Sequence, residues 1–137
     1  MSVLPQLHRL RKYKEHTARR DLLDAQAAQR ATEEKIRCTE ERVAVSRAQA
    51  KTTDPAEMAR HHAYALRMEL SRRRDEAGLI KRRGEVARRR TEVRTAAVAA
   101  RTVERLAEMR EELTSTERRR TEQHRLDELG MMSWNRR

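Results

Sequence analysis

A chain of 137 residues with no Phe, one Trp and two Tyr cannot fill a core in three dimensions, because aromatic side chains supply most of the volume and buried area in ordinary globular interiors. Charged residues occupy 40% of positions, and the apolar remainder is mostly Ala, Leu, Val and Met. Such a chain can bury one stripe along a long helix. Disorder is the competing outcome, since high net charge and few aromatics favour it. Against it stand the scarcity of breakers, three Gly and two Pro, and the abundance of Ala, Arg, Glu, Leu and Met, which are strong helix formers.

The breakers that do occur mark the architecture. Pro5 falls in a first helical turn, where its missing N–H costs nothing, with Ser2 available as a cap. No further Gly or Pro appears before Asp54-Pro55-Ala56-Glu57, where Asp54 suits an N-cap, Pro55 the first helical position and Glu57 the third. The expected fold class is therefore all-α: an antiparallel two-helix coiled-coil hairpin in a single elongated domain. Its parts are a helix over about 4–50, a turn over about 51–54, a helix over about 55–129 and a short tail over 130–137, with Gly130 as C-cap. At 1.5 Å per residue the helices span roughly 70 and 110 Å, so Leu7 is expected opposite Ala99, and residues beyond about 101 overhang.

In the first helix a seven-residue register places Ala18, Ala25, Thr32, Thr39 and Ser46 at one seam position and Leu22, Gln29, Ile36, Val43 and Ala50 at the other. Leu7 and Leu10 need a small shift to join it. Glu15–Arg19 and Glu33–Arg37 are spaced for i,i+4 pairing. In the second helix one line holds Leu66, Leu70, Ala77, Ile80, Ala87 and Val98. Another holds Leu79, Val86, Val93 and Ala100 and leads toward Val103, Leu106, Met109 and Leu113, a handover that implies a stutter. Gly78 and Gly84 are interior weak points, and whether either breaks this helix stays open.

Charge is unevenly spread. Of a net +11, residues 67–94 hold 11 basic and 5 acidic side chains, while residues 95–137 hold 9 and 8. The triplets Arg72–Arg74, Lys81–Arg83 and Arg88–Arg90 sweep around the helix as a collar rather than a stripe, with no aromatic for base stacking and no Asn or Gln near them for base reading. Nonspecific phosphate binding at low salt follows from that collar. It equally suits an acidic protein surface.

Other chemistry finds no footing. The serines lie in helical or terminal sequence, the three glycines stand alone, and adjacent acids such as Glu33–Glu34 diverge around a helix, so no enzyme and no cofactor is expected. Adjacent His61 and His62 cannot chelate one ion, and zinc needs more ligands than His61 and Glu57 supply. The longest uncharged apolar run, Ala96–Ala100, is too short for a membrane span, and no secretory leader is visible. Lone Cys38 fits a reducing cytoplasm, as a small helix filler.

Two end segments carry a family likeness. Leu7-His8-Arg9-Leu10-Arg11-Lys12-Tyr13-Lys14-Glu15 followed by Ala18-Arg19, and Glu122-Gln123-His124-Arg125-Leu126-Asp127-Glu128-Leu129, resemble the N- and C-terminal patterns of the coiled-coil stalk proteins of type III export, FliJ of the flagellum and the YscO-like proteins of injectisomes. The resemblance implies a non-enzymatic helical hairpin in the pore of the hexameric export ATPase, linked to the membrane export gate, cytoplasmic and peripheral to the inner membrane. Secretion chaperones are partners of some members. It implies that Arg11, Lys12, Arg19, Arg118, Arg119 and Arg120 meet the ATPase ring. Tyr64, Met68 and Ser71 match family positions that meet the gate, while Asp75 stands where the family often has His. Flagellum and injectisome stay open, and the alternatives are a basic coiled-coil nucleic-acid-binding protein and a generic, homodimeric coiled-coil scaffold.

Overall fold

The computed structural model describes residues 3–51 and 53–137, so the Ser2 cap lies outside the described residues. Two helices make up almost all of it: α1, Leu4–Gln49, of 46 residues, and α2, Pro55–Asn135, of 81 residues. No strand accompanies them among the described residues. Helix α1 starts with the Leu7 amide donating to the Val3 carbonyl at 3.0 Å and closes with Ala50 N–H on Ser46 at 3.1 Å. Helix α2 starts at the expected cap. Asp54 Oδ1 accepts from the Ala56 amide at 3.1 Å, and the Asp54 carbonyl accepts from Met58 N–H at 3.0 Å, so side chain and backbone together satisfy amides that the first turn leaves open.

One open point about α2 is resolved and two expectations are corrected. Neither Gly78 nor Gly84 interrupts it, and Gly130 is not a C-cap: no glycine has positive φ, and the helix continues through Gly130 to Asn135. A single glycine costs only about 1 kcal/mol in a helix, and Leu129, Met131 and Met132 around Gly130 favour continuation. Finally, there is no stutter. The line of Leu79, Val86, Val93 and Ala100 turns inward and runs in phase to Val103, with Leu79, Val86, Ala100 and Val103 buried. The other apolar line stays in solvent, with Leu66 53%, Leu70 60%, Ile80 70% and Val98 66% exposed. Leu106, Met109 and Leu113 are exposed as well.

The chain groups into two compact units, residues 16–94 and residues 1–15 with 95–137. In the first, the helices run antiparallel, as the Arg89–Asp21 ion pair at 3.5 Å and the Ser46–His61 contact at 3.5 Å show. The α1 register holds as far as Ser46, while Ala50 lies beyond the end of α1 and is exposed. Ala25 and Thr39 are buried, and Ala18, Leu22, Gln29, Thr32, Ile36, Val43 and Ser46 are half-buried in phase with them. Threonine serves in this seam because it satisfies its own hydroxyl: Thr32 donates to the Ala28 carbonyl at 3.1 Å and Thr39 to that of Lys35 at 2.9 Å. Arg37 pairs with Glu34 and Glu41 rather than with Glu33, which accepts from Gln29 instead.

In the second unit the seam needs no shift, because the heptad continues to the start of α1 through Glu15, Arg11, His8 and Leu4. Leu10 is exposed in consequence, and Leu7 is half-buried. Glu15 is buried and ion-paired with Lys12 at 3.7 Å. Cover on α2 extends further than expected. Leu4, Pro5 and His8 line one cleft with Glu104, Ala107, Glu111 and Arg118, so the apolar first turn of α1 keeps company with α2 well beyond residue 101. From Glu108 to Arg137 every side chain is nevertheless exposed.

Candidate functional site

Polar side chains in this molecule fall into two groups, those that neutralise each other and those left to face outward. The first group is local. Arg72 donates to Glu69 at 2.9 Å and Glu76 at 2.7 Å, Arg73 reaches Glu69 at 3.3 Å, Arg88 reaches Glu85 at 2.8 Å, and Arg89 bridges Glu85 and Glu92 at 3.0 Å each. These i,i+3 and i,i+4 contacts follow from helix geometry alone. The hydrogen bond from Arg72 holds the Glu69 carboxyl below its usual range, that from Arg88 does the same to Glu85, and that from Arg37 to Glu34. The triplets read as a collar are thus partly consumed by the acids that interrupt them.

The predicted contact residues are divided between the two groups. Arg119 and Arg120 are exposed on the uncovered stretch of α2, and Arg118 lines the open cleft of about 860 Å³ beside Leu4, Pro5 and His8. Lys12 is half-buried beside Glu15. Arg19 is exposed and belongs to the other unit. Arg11 differs: it occupies a seam position, and its Nε, like His8 Nε2, is buried with no hydrogen-bond partner among the described residues. Leaving such atoms unpaired costs free energy, so the start of α1 is held less firmly than its apolar neighbours suggest.

Tyr64, Met68 and Ser71 are all half-buried, yet they face different ways. Met68 stands in the inward heptad between His61 and Asp75. Tyr64 lines an open groove of about 770 Å³ between the helices, with Cys38, Arg42, Val45, Gln49, Arg60 and Arg67 among its walls. A small, mostly apolar cavity of about 50 Å³ lies behind it, lined by Val43, Ser46, Ala50, His61 and Ala65. The sequence reading missed this groove. The available signal was the cation spacing: Arg60, Arg67, Arg74, Lys81 and Arg88 recur every seven residues.

Among the described residues no cluster of His, Cys, Asp or Glu has the makings of a metal site, and no helix is long and apolar enough to cross a membrane. Two helices packed antiparallel along a seam of small side chains make this a protein of the all-helical hairpin class. More narrowly, the chain belongs to the flagellar FliJ protein family, whose model matches residues 1–137, and so to the components of flagellar export. No curated protein and no solved structure matches it.

Proposed function

We propose that this chain is the non-enzymatic central stalk of a flagellar export apparatus, inserted in the hexameric export ATPase and coupling it to the membrane export gate on the cytoplasmic side of the inner membrane. The observation that carries this reading is the stretch Glu108–Asn135, a continuous helix with every side chain in solvent. A lone helix gains no packing energy, and Leu113, Leu126, Leu129 and Trp134 stand exposed on it, so the stretch calls for a partner that surrounds it. A ring pore provides such cover. It also favours a slender, charged helix, because six non-equivalent subunit contacts must fit one asymmetric shaft.

In this reading Arg118, Arg119 and Arg120, with Lys12 and Arg19, meet acidic groups of the ring, and Arg11 supports them from the seam. Tyr64 and Ser71 offer the gate contact, which Met68 backs from the inward side. Secretion chaperones are further partners. Family membership supports a contact role.

The test is stimulation of ATP hydrolysis by a purified export ATPase. Arg118→Glu, Arg119→Glu and Arg120→Glu together are expected to abolish stimulation while circular dichroism stays at wild-type helicity. Tyr64→Ala is expected to spare stimulation and weaken binding to the gate protein. A chain that leaves the ATPase unstimulated but binds duplex nucleic acid tightly at physiological salt overturns the stalk reading.

A further inference from the structure

The hairpin of residues 16–94 has two long grooves flanking its seam, and they differ in chemistry. On one side the flanking positions hold Glu33, Glu40, Glu69 and Glu76 near Arg37, Arg72 and Arg73, and the arginines are tied up in ion pairs with neighbouring acids. On the other side Arg60, Arg67, Arg74 and Lys81 stand at seven-residue intervals along α2, with Arg42 across from them on α1 and one acid, Glu41, which is paired with Arg37, at the groove wall. None of these five cations makes an ion pair among the described residues, although the acids that could have neutralised them are plentiful on the opposite side.

Between these cations the groove floor is small and partly apolar. Cys38, Val45, Ala63 and Tyr64 line its turn-side half, and Val45 is 55% exposed. The same side opens again into a cleft of about 550 Å³ lined by Ala25, Ala28, Gly78, Lys81 and Arg82, and ending at Asp24 and at Asp21 and Glu85, both paired with Arg89. A Cβ at Gly78 would meet nothing within 4 Å, so the floor leaves room for close approach.

We propose that this groove seats an amphipathic helix of a partner protein, apolar toward the floor and acidic along its edges, completing a local three-helix coiled coil. The seven-residue repeat of the cations matches the repeat of flanking acids on such a helix, as in coiled coils whose flanking charges choose the partner. A second copy of this chain is the wrong occupant, because juxtaposing two such rows would set cation against cation in a molecule of net charge +11. A phosphate backbone is also a poorer match: it leaves Val45 and Tyr64 uncovered. The bound helix sets its acidic residues over Arg42, Arg60 and Arg67.

The groove adjoins Tyr64 and Ser71, but its test needs no export component and therefore stands or falls apart from the stalk reading. The probe is a fluorescein-labelled four-heptad peptide with Leu and Ala at its core positions and Glu at its flanks, titrated with the full chain at physiological salt and followed by anisotropy. Arg60→Glu, Arg67→Glu and Arg74→Glu together are expected to weaken binding by more than about tenfold, as loss of several facing charge pairs requires. Arg30→Glu, Arg83→Glu and Arg90→Glu, an equal charge change outside the groove, are expected to alter it less than about threefold. Val45→Asn, which changes no charge, should also weaken it, and circular dichroism should show each variant helical. If the cationic triple unfolds the chain, Arg→Gln at the same three positions replaces it. The proposal is overturned if both charge triples weaken binding alike or if a scrambled peptide of the same composition binds as tightly. It also fails if the heptad peptide does not bind while duplex DNA binds through Arg60, Arg67 and Arg74.

Discussion

In residues 16–94 each helix covers the other's seam, whereas from Glu108 onward α2 holds Leu113, Leu126, Leu129 and Trp134 in solvent. Both regions are built from the same helix-forming residues, and both are helical. They differ in what sustains the helix. Around Leu79 and Val86, burial and the Arg89–Asp21 pair tie α2 to α1. Beyond Glu108, intrinsic propensity and contacts within one helix do the work, such as Gln123 donating to Asp127 at 3.1 Å and Thr114 to the Arg110 carbonyl at 2.9 Å. The contrast teaches that helicity here is nearly free of tertiary structure, while stability is not.

The largest expected effect breaks that contrast directly. Leu79→Asp places an unpaired charge in the buried seam and should cost about 3 kcal/mol, seen as a lower melting temperature. Leu113→Asp, on the uncovered stretch, should change stability by less than about 0.5 kcal/mol. Equal losses at the two positions would mean that residue 113 is covered in the free protein. Ile36→Asp tests the α1 side of the same seam and should also lower the melting temperature, by less than Leu79→Asp because Ile36 is only half-buried.

Acid gives a smaller effect. Glu34, Glu69 and Glu85 have folded-state pKa values held below 4.5 by Arg37, Arg72 and Arg88, so their contribution is present at neutral pH and is lost as pH falls through that lowered range. All three are solvent-facing, and salt should screen most of the effect. Melting curves at falling pH, with and without added salt, should show a modest drop at low salt that shrinks at high salt. The smallest change runs the other way. Gly84→Ala meets no neighbour and replaces the poorer helix former, so it should stabilise the chain by about 0.5–1 kcal/mol in a chemical denaturation series.

Much of this was legible in the residues. The Asp54-Pro55 start, the heptad of Ala18 through Ser46 and the two-helix topology depend on local rules of capping and periodicity, which a linear sequence carries in full. The candidate site was legible in pieces. Arg119 and Arg120 are exposed, while Arg11 faces the seam, and Tyr64 and Met68, four residues apart, face a groove and a seam respectively. Such differences of facing are decided only when a second helix arrives.

What the sequence by itself determined is that the chain is helical, where α2 begins and which line of α1 is buried. Breakers, caps and a seven-residue repeat of small side chains act over distances shorter than two helical turns. What only the tertiary structure decided is which of two apolar lines on α2 meets α1. The line with Leu66, Leu70 and Ile80 is the bulkier near the turn, but Leu79, Val86, Val93 and Ala100 keep an unbroken seven-residue period into Val103. A coiled-coil seam is selected by persistence of phase along both helices, since every break in phase removes a side chain from the interface. That choice leaves the bulkier line in solvent and turns one row of arginines onto an open groove.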